Sequence, residues 1–235
     1  MSISKEIERL QQAKKDIGDA IVRKGGSVSG TIDTYAKSVM ALGDVSFHTA
    51  IDIVNKSDAK NVDLTMISPK NETNLDGLFR GNKILTNIDV SSWDTSSITR
   101  INTIFYKCTS ITNLDLSNWD MSNVKSATST FNTCTSLTNL DISNWDMSNV
   151  TAIDWIFAFD NALSVIKCDG LRLPNIEMNN ITLISNSLTV DSIVGLLNAL
   201  PQSDKGYSFQ IGSNNISKLS DEQKAIATNK GWTLI

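Results

Sequence analysis

Residues 112–124 have the sequence TNLDLSNWDMSNV, and residues 138–150 repeat it almost letter for letter as TNLDISNWDMSNV. A weaker copy, TNIDVSSWDTSSI, occupies residues 86–98. Successive copies are displaced by 26 residues, so the pattern is a tandem repeat of fixed period. A period in this range predicts a solenoid, in which each unit can bury its apolar face only against its neighbours.

The same period extends to several other residue types. Phenylalanines recur ahead of the copies, aspartates recur within them, and apolar pairs flank those aspartates. The members are Trp93, Trp119 and Trp145; Phe79, Phe105, Phe131 and Phe157; Asp63, Asp89, Asp115 and Asp141; and the pairs Val62/Leu64, Ile88/Val90, Leu114/Leu116, Leu140/Ile142 and Ile166/Cys168. This alternation predicts one short strand per unit, all on a parallel ladder, with the apolar side chains inward and Asp outward.

The register of the repeats divides the chain into four parts. They are a helical module at 1–43, a linker with an N-terminal half-repeat cap at 44–72, four 26-residue repeats at 73–176, and a C-terminal cap at 177–235. In the last repeat Leu171 replaces the tryptophan and Lys167 the aspartate, as expected near the end of a stack. The predicted fold class is α+β: a helical hairpin or short coiled coil, a parallel-stranded leucine-rich-repeat solenoid, and a helical C-terminal cap.

The cap is predicted from helix-terminal signals. Thr189 is a candidate N-cap of one helix, and a capping box from Ser220 to Gln223 begins another. Gly231 is placed to end the second helix, and the segment YSFQIGS at 207–213 alternates like a strand. Such a cap is needed because the open end of a solenoid exposes apolar core.

The N-terminal module carries an apolar seam with steps of three and four residues. Its members are Ile3, Ile7, Leu10, Ile17 and Ile21, with Lys14 on the same stripe. This spacing predicts one of two arrangements: a helical hairpin that docks on a partner surface, or a self-associating coiled coil. The seam is therefore predicted to serve attachment or oligomerisation, with a trimer favoured among homo-oligomers.

The repeated aspartates define two columns of like charge. One is the series already given, and the other is Asp94, Asp120 and Asp146. Carboxylates about 5 Å apart repel one another. Either a divalent cation or polar glycan rests on them, or each Asp accepts hydrogen bonds from turn amides, which is the favoured interpretation. The outward face around Asp89, Asp115 and Asp141 is the candidate ligand-contact surface.

The tryptophan column is also open to two interpretations. Exposed indoles would offer stacking platforms for sugar rings, whereas buried indoles would fill the space between units. A large aromatic residue repeated in a repeat fold is more often buried, so burial is the favoured prediction. The repeated cysteines Cys108 and Cys134, and Cys168 with them, are expected to be small buried hydrophobes.

Composition argues against several classes of function. A net charge of −4, and the absence along the sequence of a basic cluster interleaved with aromatics, make nucleic acid a poor partner. With His48 as the single histidine, no metal, cofactor or enzymatic activity is expected. The N-terminus lacks the apolar core of a secretory signal, and no apolar run is long enough for membrane insertion.

The unit FNTCTSLTNLDISNWDMSNV at 131–150, like its counterpart at 105–124, resembles the BspA-like class of leucine-rich repeat, which also occurs as mycoplasma lipoprotein-type repeats. The resemblance spans about residues 60–176. The tail at 216–235 looks like the closing segment that often follows such repeats. The resemblance implies a parallel-stranded, non-enzymatic surface protein that is commonly adhesive.

The opening segment LQQAKKDIGDAIVRKGGSVSGTIDTYAKSV at 10–39 is similar to short N-terminal modules of structural proteins in tailed bacteriophages of gut bacteria. Together the two resemblances imply a virion fibre, decoration or tail-associated adhesin, assembled in the host bacterial cytoplasm. Its helices would bind other virion proteins, and its repeats would contact a host-surface glycan or protein. The alternatives are a bacterial cell-surface adhesin lacking its export signal and a purely architectural virion joint.

Overall fold

A computed structural model describes residues 46–235, with gaps at 57, 59, 66, 159–161, 175, 177 and 184–186. The predicted N-terminal seam lies outside the described residues. Its members are Ile3, Ile7, Leu10, Ile17 and Ile21. The described part is a mixed α+β structure, with short parallel strands in small sheets and a few helices.

Five three-residue strands follow one another at the repeat period. They are β1 Asn61–Asp63, β2 Asn87–Asp89, β3 Asn113–Asp115, β4 Asn139–Asp141 and β5 Val165–Lys167. Where the strands pair, they are parallel, and each residue lies opposite the one 26 positions further along. The middle residue of every strand is buried and its two neighbours are more exposed. The predicted alternation is confirmed.

The predicted ladder is interrupted between β2 and β3, so these five strands form two sheets, β1–β2 and β3–β4–β5. The hydrogen bonds of the tryptophan side chains differ at the same junction. The indoles of Trp93 and Trp145 donate from Nε1 to the carbonyls of Leu64 and Leu116, at 3.2 and 2.8 Å. The equivalent Nε1 of Trp119 is buried and has no partner among the described residues. The expectation of one continuous ladder is therefore wrong at this junction.

The return segments hold the same two units together. The amide of Gly77 donates to the carbonyl of Asn102, and that of Phe79 to the carbonyl of Ile104, both at 2.9 Å. Comparable bonds follow one period later, such as the amide of Phe105 to the carbonyl of Thr130 at 3.0 Å. The backbone therefore links successive units on the return side even where the strands are not paired.

Two columns of stacked aromatic rings fill the space between strands and return segments. In the tryptophan column, successive ring centroids are 5.9 and 6.4 Å apart, with interplanar angles of 7° and 13°. In the phenylalanine column, the spacings are 5.5, 6.0 and 5.8 Å. All seven rings are buried: Trp93, Trp119, Trp145, Phe79, Phe105, Phe131 and Phe157. The predicted burial of the tryptophans is confirmed, and these rings are part of the core.

The repeated cysteines are part of this core. The Sγ atoms of Cys108 and Cys134 lie 3.0 Å from the carbonyl oxygens of Phe79 and Phe105 in the preceding unit, to which the thiols donate. Burial raises the pKa of Cys108 to about 12, because the thiolate would lose its hydration. The thiol is therefore neutral at physiological pH, and the prediction of small buried hydrophobes is confirmed for both residues.

Helix α1, Phe47–Lys56, covers the N-terminal end of the ring columns. Ile51 and Val54 are buried, and the Phe47 ring meets Trp93 edge-on with centroids 5.3 Å apart. The sequence pattern assigned residues 44–72 to a linker and half-repeat cap and did not indicate a helix there. The β-branched residues of this helix lower helix propensity, but Phe47, Ile51 and Val54 recur at helical spacing, and Ser46 Oγ accepts the amide of Thr49 at 3.3 Å.

The described residues of the C-terminal cap form three strands and three helices. They are β6 Met178–Thr182, α2 Val190–Ala199, β7 Ser208–Gln210, α3 Ser213–Ile216, α4 Asp221–Thr228 and β8 Thr233–Leu234. The three strands form a parallel sheet in the order β6–β7–β8. The cap is therefore mixed rather than purely helical.

The predicted helix ends are confirmed. Thr189 Oγ1 accepts the amide of Ser192 at 3.3 Å, and Ser220 forms a reciprocal capping box with Gln223. After α4, Gly231 has φ +79°, and a side chain on it would collide with the backbone carbonyl of Ser203. Only glycine fits this turn without strain.

Replacement of either Trp145 or Trp119 by Phe tests the difference between their indoles. Trp145→Phe removes a hydrogen bond to Leu116, whereas Trp119→Phe removes a buried donor that has no partner among the described residues. The free energy of unfolding should therefore fall more for Trp145→Phe, by roughly 1–3 kcal/mol. Urea unfolding of the two variants measures the difference, and an equal or larger loss for Trp119→Phe would contradict the interrupted ladder.

Candidate binding face on the strand side

The outward face of β3, β4 and β5 forms a groove of about 300 Å³. Its lining combines apolar residues of the strands with polar side chains that point outward. The apolar residues are Leu114, Leu140 and Val165, and the polar ones are Asn113, Asp115, Asn139, Asp141 and Lys167. Two of the three predicted contact residues, Asp115 and Asp141, are therefore brought together. Asp89 lies on β2, in the other sheet, and does not line the groove.

Each aspartate of this column is fixed by a turn. The Oδ1 atom accepts a hydrogen bond from the amide two residues on, at 3.0 to 3.1 Å, in the pairs Asp89–Ser91, Asp115–Ser117 and Asp141–Ser143. The hydroxyls of Ser91 and Ser117 also donate to the same oxygens, at 2.7 Å. The second column has the same amide bonds, at 2.9 to 3.1 Å. The predicted turn bonding is confirmed.

These bonds favour the charged form of the carboxylates. The hydroxyl and then the amide of Ser117 hold the pKa of Asp115 below its ordinary value, because both donate to the ionised group. Ser96 and Ser148 lower the pKa of Asp94 and Asp146 in the same way. These three residues therefore carry full negative charge at neutral pH.

A cation ends each aspartate column at its C-terminal side. Lys167 lies opposite Asp141 in the parallel pairing, with Nζ 3.5 Å from Oδ2, and Arg172 lies opposite Asp146 at 3.6 Å. The sequence pattern attributed Lys167 to the decay of the last repeat. The structure gives it a physical role, since a cation next to a column of like charges reduces their repulsion.

The groove also contains an asparagine ladder that the sequence prediction missed. Asn139 Nδ2 donates to Asn113 Oδ1 at 2.7 Å, and Asn87 Nδ2 donates to Asn61 Oδ1 at 2.6 Å. The signal was available, because Asn precedes the buried strand residue in the first four strands. Hydrogen bonds between neighbouring units therefore fix the amide side chains of the face, and turn bonds within each unit fix its carboxylates.

Two features associated with other functions are not found in the described part of the chain. No group of three or more His, Cys, Asp or Glu side chains there could hold a metal ion. No helix among those residues is long and apolar enough to cross a membrane. His48 is exposed, and its Nδ1 lies 3.3 Å from Glu72 Oε1.

The described fold and face define a class of protein built from tandem parallel units with a polar outer surface. Residues 47–166 match the family described as "Mycoplasma protein of unknown function, DUF285". Because the match covers half of the chain, the protein belongs to this family. Membership agrees with the resemblance to mycoplasma-type BspA-like repeats. Neither the curated proteins nor the solved structures gave a significant match.

Removal of the Ser117 hydroxyl tests the hydrogen bonding of Asp115. In Ser117→Ala the pKa of Asp115 should move up towards its ordinary value, as measured by NMR titration of the carboxyl carbon. A depressed folded pKa stabilises the protein above the unfolded value and loses this effect as pH falls through the folded value. The variant should therefore be less stable at neutral pH, by under about 1 kcal/mol because solvent screens the site, and the difference should vanish once the pH falls below the folded pKa.

Ser143→Ala is the matched control, because the bond from Ser143 to Asp141 is made by the backbone amide. In this control the pKa of Asp115 and the free energy of unfolding should match those of the unmodified chain. A pKa of Asp115 that is unchanged in Ser117→Ala would contradict the role of the hydroxyl.

Proposed function

We propose that the repeats form a leucine-rich-repeat solenoid of the BspA-like kind. Three observations support this. Paired strands are offset by one period of 26 residues, like rings stack on like rings at every junction from 79 to 157, and the chain belongs to the matching family. The junction between β2 and β3 is then a local opening of the ladder rather than a domain boundary.

We further propose that the protein is a non-enzymatic virion structural protein that displays this domain as an adhesin. The observation that carries the proposal is the groove on β3–β5, whose amides and carboxylates are held in place by hydrogen bonds before any ligand arrives. A pre-ordered surface loses little side-chain entropy on binding. Its donors and acceptors suit the hydroxyl groups of a glycan, or a polar protein segment, on the host surface.

Attachment is assigned to the helices proposed at 1–43. The likeness of residues 10–39 to N-terminal modules of tailed-bacteriophage structural proteins supports a place in the virion. Other virion proteins, or sister copies in a homotrimer, would cover the seam that contains Ile3 and Ile21. Several copies on one particle would convert weak individual contacts into stable adsorption through avidity.

A bacterial cell-surface adhesin is the second candidate. The family description favours it, since that description names a Mycoplasma protein. The adhesive face would be the same in both cases, and only the anchor would differ. Genes for capsid and tail components beside this one would favour the virion, whereas an upstream signal-coding extension would favour the cell surface.

A chain that begins at Asp44 tests the attachment role. The repeats and both caps are retained, so the fragment should fold as a soluble monomer and be absent from purified particles. Full-length Ile7→Asn/Ile17→Asn, which places two polar groups on the seam, should also fail to incorporate. Immunoblots of purified particles measure incorporation, and a normal amount of either variant would contradict the proposal.

The double variant Asp115→Asn/Asp141→Asn tests the adhesive face. Asparagine can accept the same turn bonds through Oδ1, so the fold should persist while two charges are lost. The variant protein should be incorporated into particles in the normal amount. Those particles should adsorb to host cells about tenfold less, because avidity amplifies each weakened contact.

Asp120→Asn is the control, because its turn bond to Ser122 at 2.9 Å is equivalent but lies in the second column. Normal adsorption of the double variant would reject the groove as the contact surface. Burial of the groove against another subunit in the particle would favour the architectural joint instead. Glycan cleavage that disappears in Asp115→Asn would overturn the non-enzymatic assignment.

A further inference from the structure

A basic and aromatic cluster lies on the return side, away from the strand face. Arg80 Cζ is 5.1 Å from the centroid of the Tyr106 ring, and Lys107 Nζ is 5.0 Å from it. Arg80 and Tyr106 are one period apart, and the Gly81 amide donates to the Tyr106 carbonyl at 2.7 Å. No such cluster is visible along the sequence because its members come from successive units.

The cluster extends along the turn that follows. Ser110 Oγ donates to the carbonyl of Lys83 at 2.6 Å, so the segments that contain Lys83 and Lys107 adjoin one another. Ile84 follows Lys83 and is 42% exposed, one of the few large apolar side chains with such exposure in the described residues. Arg80, Lys107 and the half-buried Tyr106 ring therefore form the cluster, and the exposed residues Lys83 and Ile84 lie on the segment that adjoins it.

The positive charge of the cluster is not neutralised within the described part of the chain. No ion pair found there involves Arg80, Lys83 or Lys107, and Asp76, one turn before Arg80, is bound by Arg100. Both cations lie close to the same ring, at 5.1 and 5.0 Å from its centroid, and an anion bound beside that ring would be attracted to both. This concentration of positive charge contrasts with the net charge of −4 of the whole chain.

The stacked fold does not require these residues. One period later the equivalents of Tyr106 and Lys107 are Asn132 and Thr133, which are uncharged, and the backbone bonds are retained. The Lys107 position is left-handed, with φ +59°, and is occupied by Gly81 one period earlier. Thr133 occupies it one period later with φ +65°, so the fold accepts residues of different size and charge at this position and does not require a lysine.

We propose that this cluster is a second binding site, which takes an acidic sugar. Arg80 and Lys107 bind the carboxylate between them, and the Tyr106 ring and Ile84 contact the apolar face of the sugar. So few cations suit a nucleic-acid backbone poorly, because affinity for that backbone grows with the number of phosphates that are neutralised. The inference rests on the proposed adhesive function and adds the ligand class.

The test compares a galacturonic acid trisaccharide with its methyl ester, which has the same rings without the charge. Isothermal titration of the full-length protein at low salt should show binding of the acid at least about tenfold tighter than the ester. Arg80→Gln/Lys107→Gln should weaken binding of the acid by about tenfold or more and leave the weak binding of the ester unchanged. Tyr106→Leu should weaken binding of both sugars, because it removes the ring contact.

Lys125→Gln is the control, since it removes one exposed cation outside the cluster and should leave both affinities unchanged. If the double variant fails to fold, as judged by its thermal unfolding, each single variant serves in its place. Equal affinity for acid and ester, or acid binding unchanged by the cluster variants, would overturn the proposal. A single-stranded oligonucleotide that binds the cluster more tightly than the sugar would also overturn it.

The two functional proposals fail in different ways. Loss of acid binding with normal particle adsorption removes the acidic sugar as ligand and leaves the adhesive role intact. Cluster-dependent binding of the acid in a chain that never enters particles keeps this site and removes the place in the virion.

Discussion

The stacking of buried aromatic rings is the interaction on which the described structure depends. The rings remain in contact at every junction of the two columns, at 5.5 to 6.4 Å, including the junction where the strands are not paired. There the ring centroids of Trp93 and Trp119 are 5.9 Å apart, and the two ring planes are nearly parallel. The ring columns and the return-side backbone bonds, rather than the strand ladder, are therefore the contacts that continue through all units.

This dependence explains why both ends of the columns carry non-repeat elements. At the N-terminal end Phe47 of α1 packs against Trp93. At the C-terminal end Leu196 and Phe209 from the cap approach Trp145 and Phe157, and Leu171 stands where a tryptophan would be. An apolar void of about 10 Å³ remains between them, which is at the lower limit for one water molecule. The smaller leucine leaves room for cap residues to complete the core.

Periodicity made the columns predictable and left their exceptions unpredictable. The burial of Trp145, the outward direction of Asp115 and the capping box at Ser220 all follow from local pattern, because each depends on residues close in sequence or one fixed period away. The pairing of Lys167 with Asp141 and the contact of Arg80 with Tyr106 depend on which side chains differ between units. Recognising these pairs requires knowing first which residues lie one period apart in register, and then which of them differ from the repeat.

The interrupted pairing of β2 and β3 has no sequence signal, because Asn87 and Asn113 occupy equivalent positions in equivalent units. The helix at 47–56 was missed although local signals for it exist: Phe47, Ile51 and Val54 recur at helical spacing, and Ser46 Oγ accepts the amide of Thr49. The attachment seam at 3–21 lies outside the described residues and remains a prediction.

The most direct test of ring stacking as the organising interaction is deletion of one whole unit. Removal of residues 99–124 takes away one ring from each column and keeps the phase of all others, so the protein should unfold cooperatively with reduced stability. Removal of residues 99–123 shifts every later residue by one position relative to its neighbours and should abolish the cooperative transition. Urea unfolding followed by tryptophan fluorescence measures both, and similar behaviour of the two deletions would contradict a structure set by a 26-residue ring spacing.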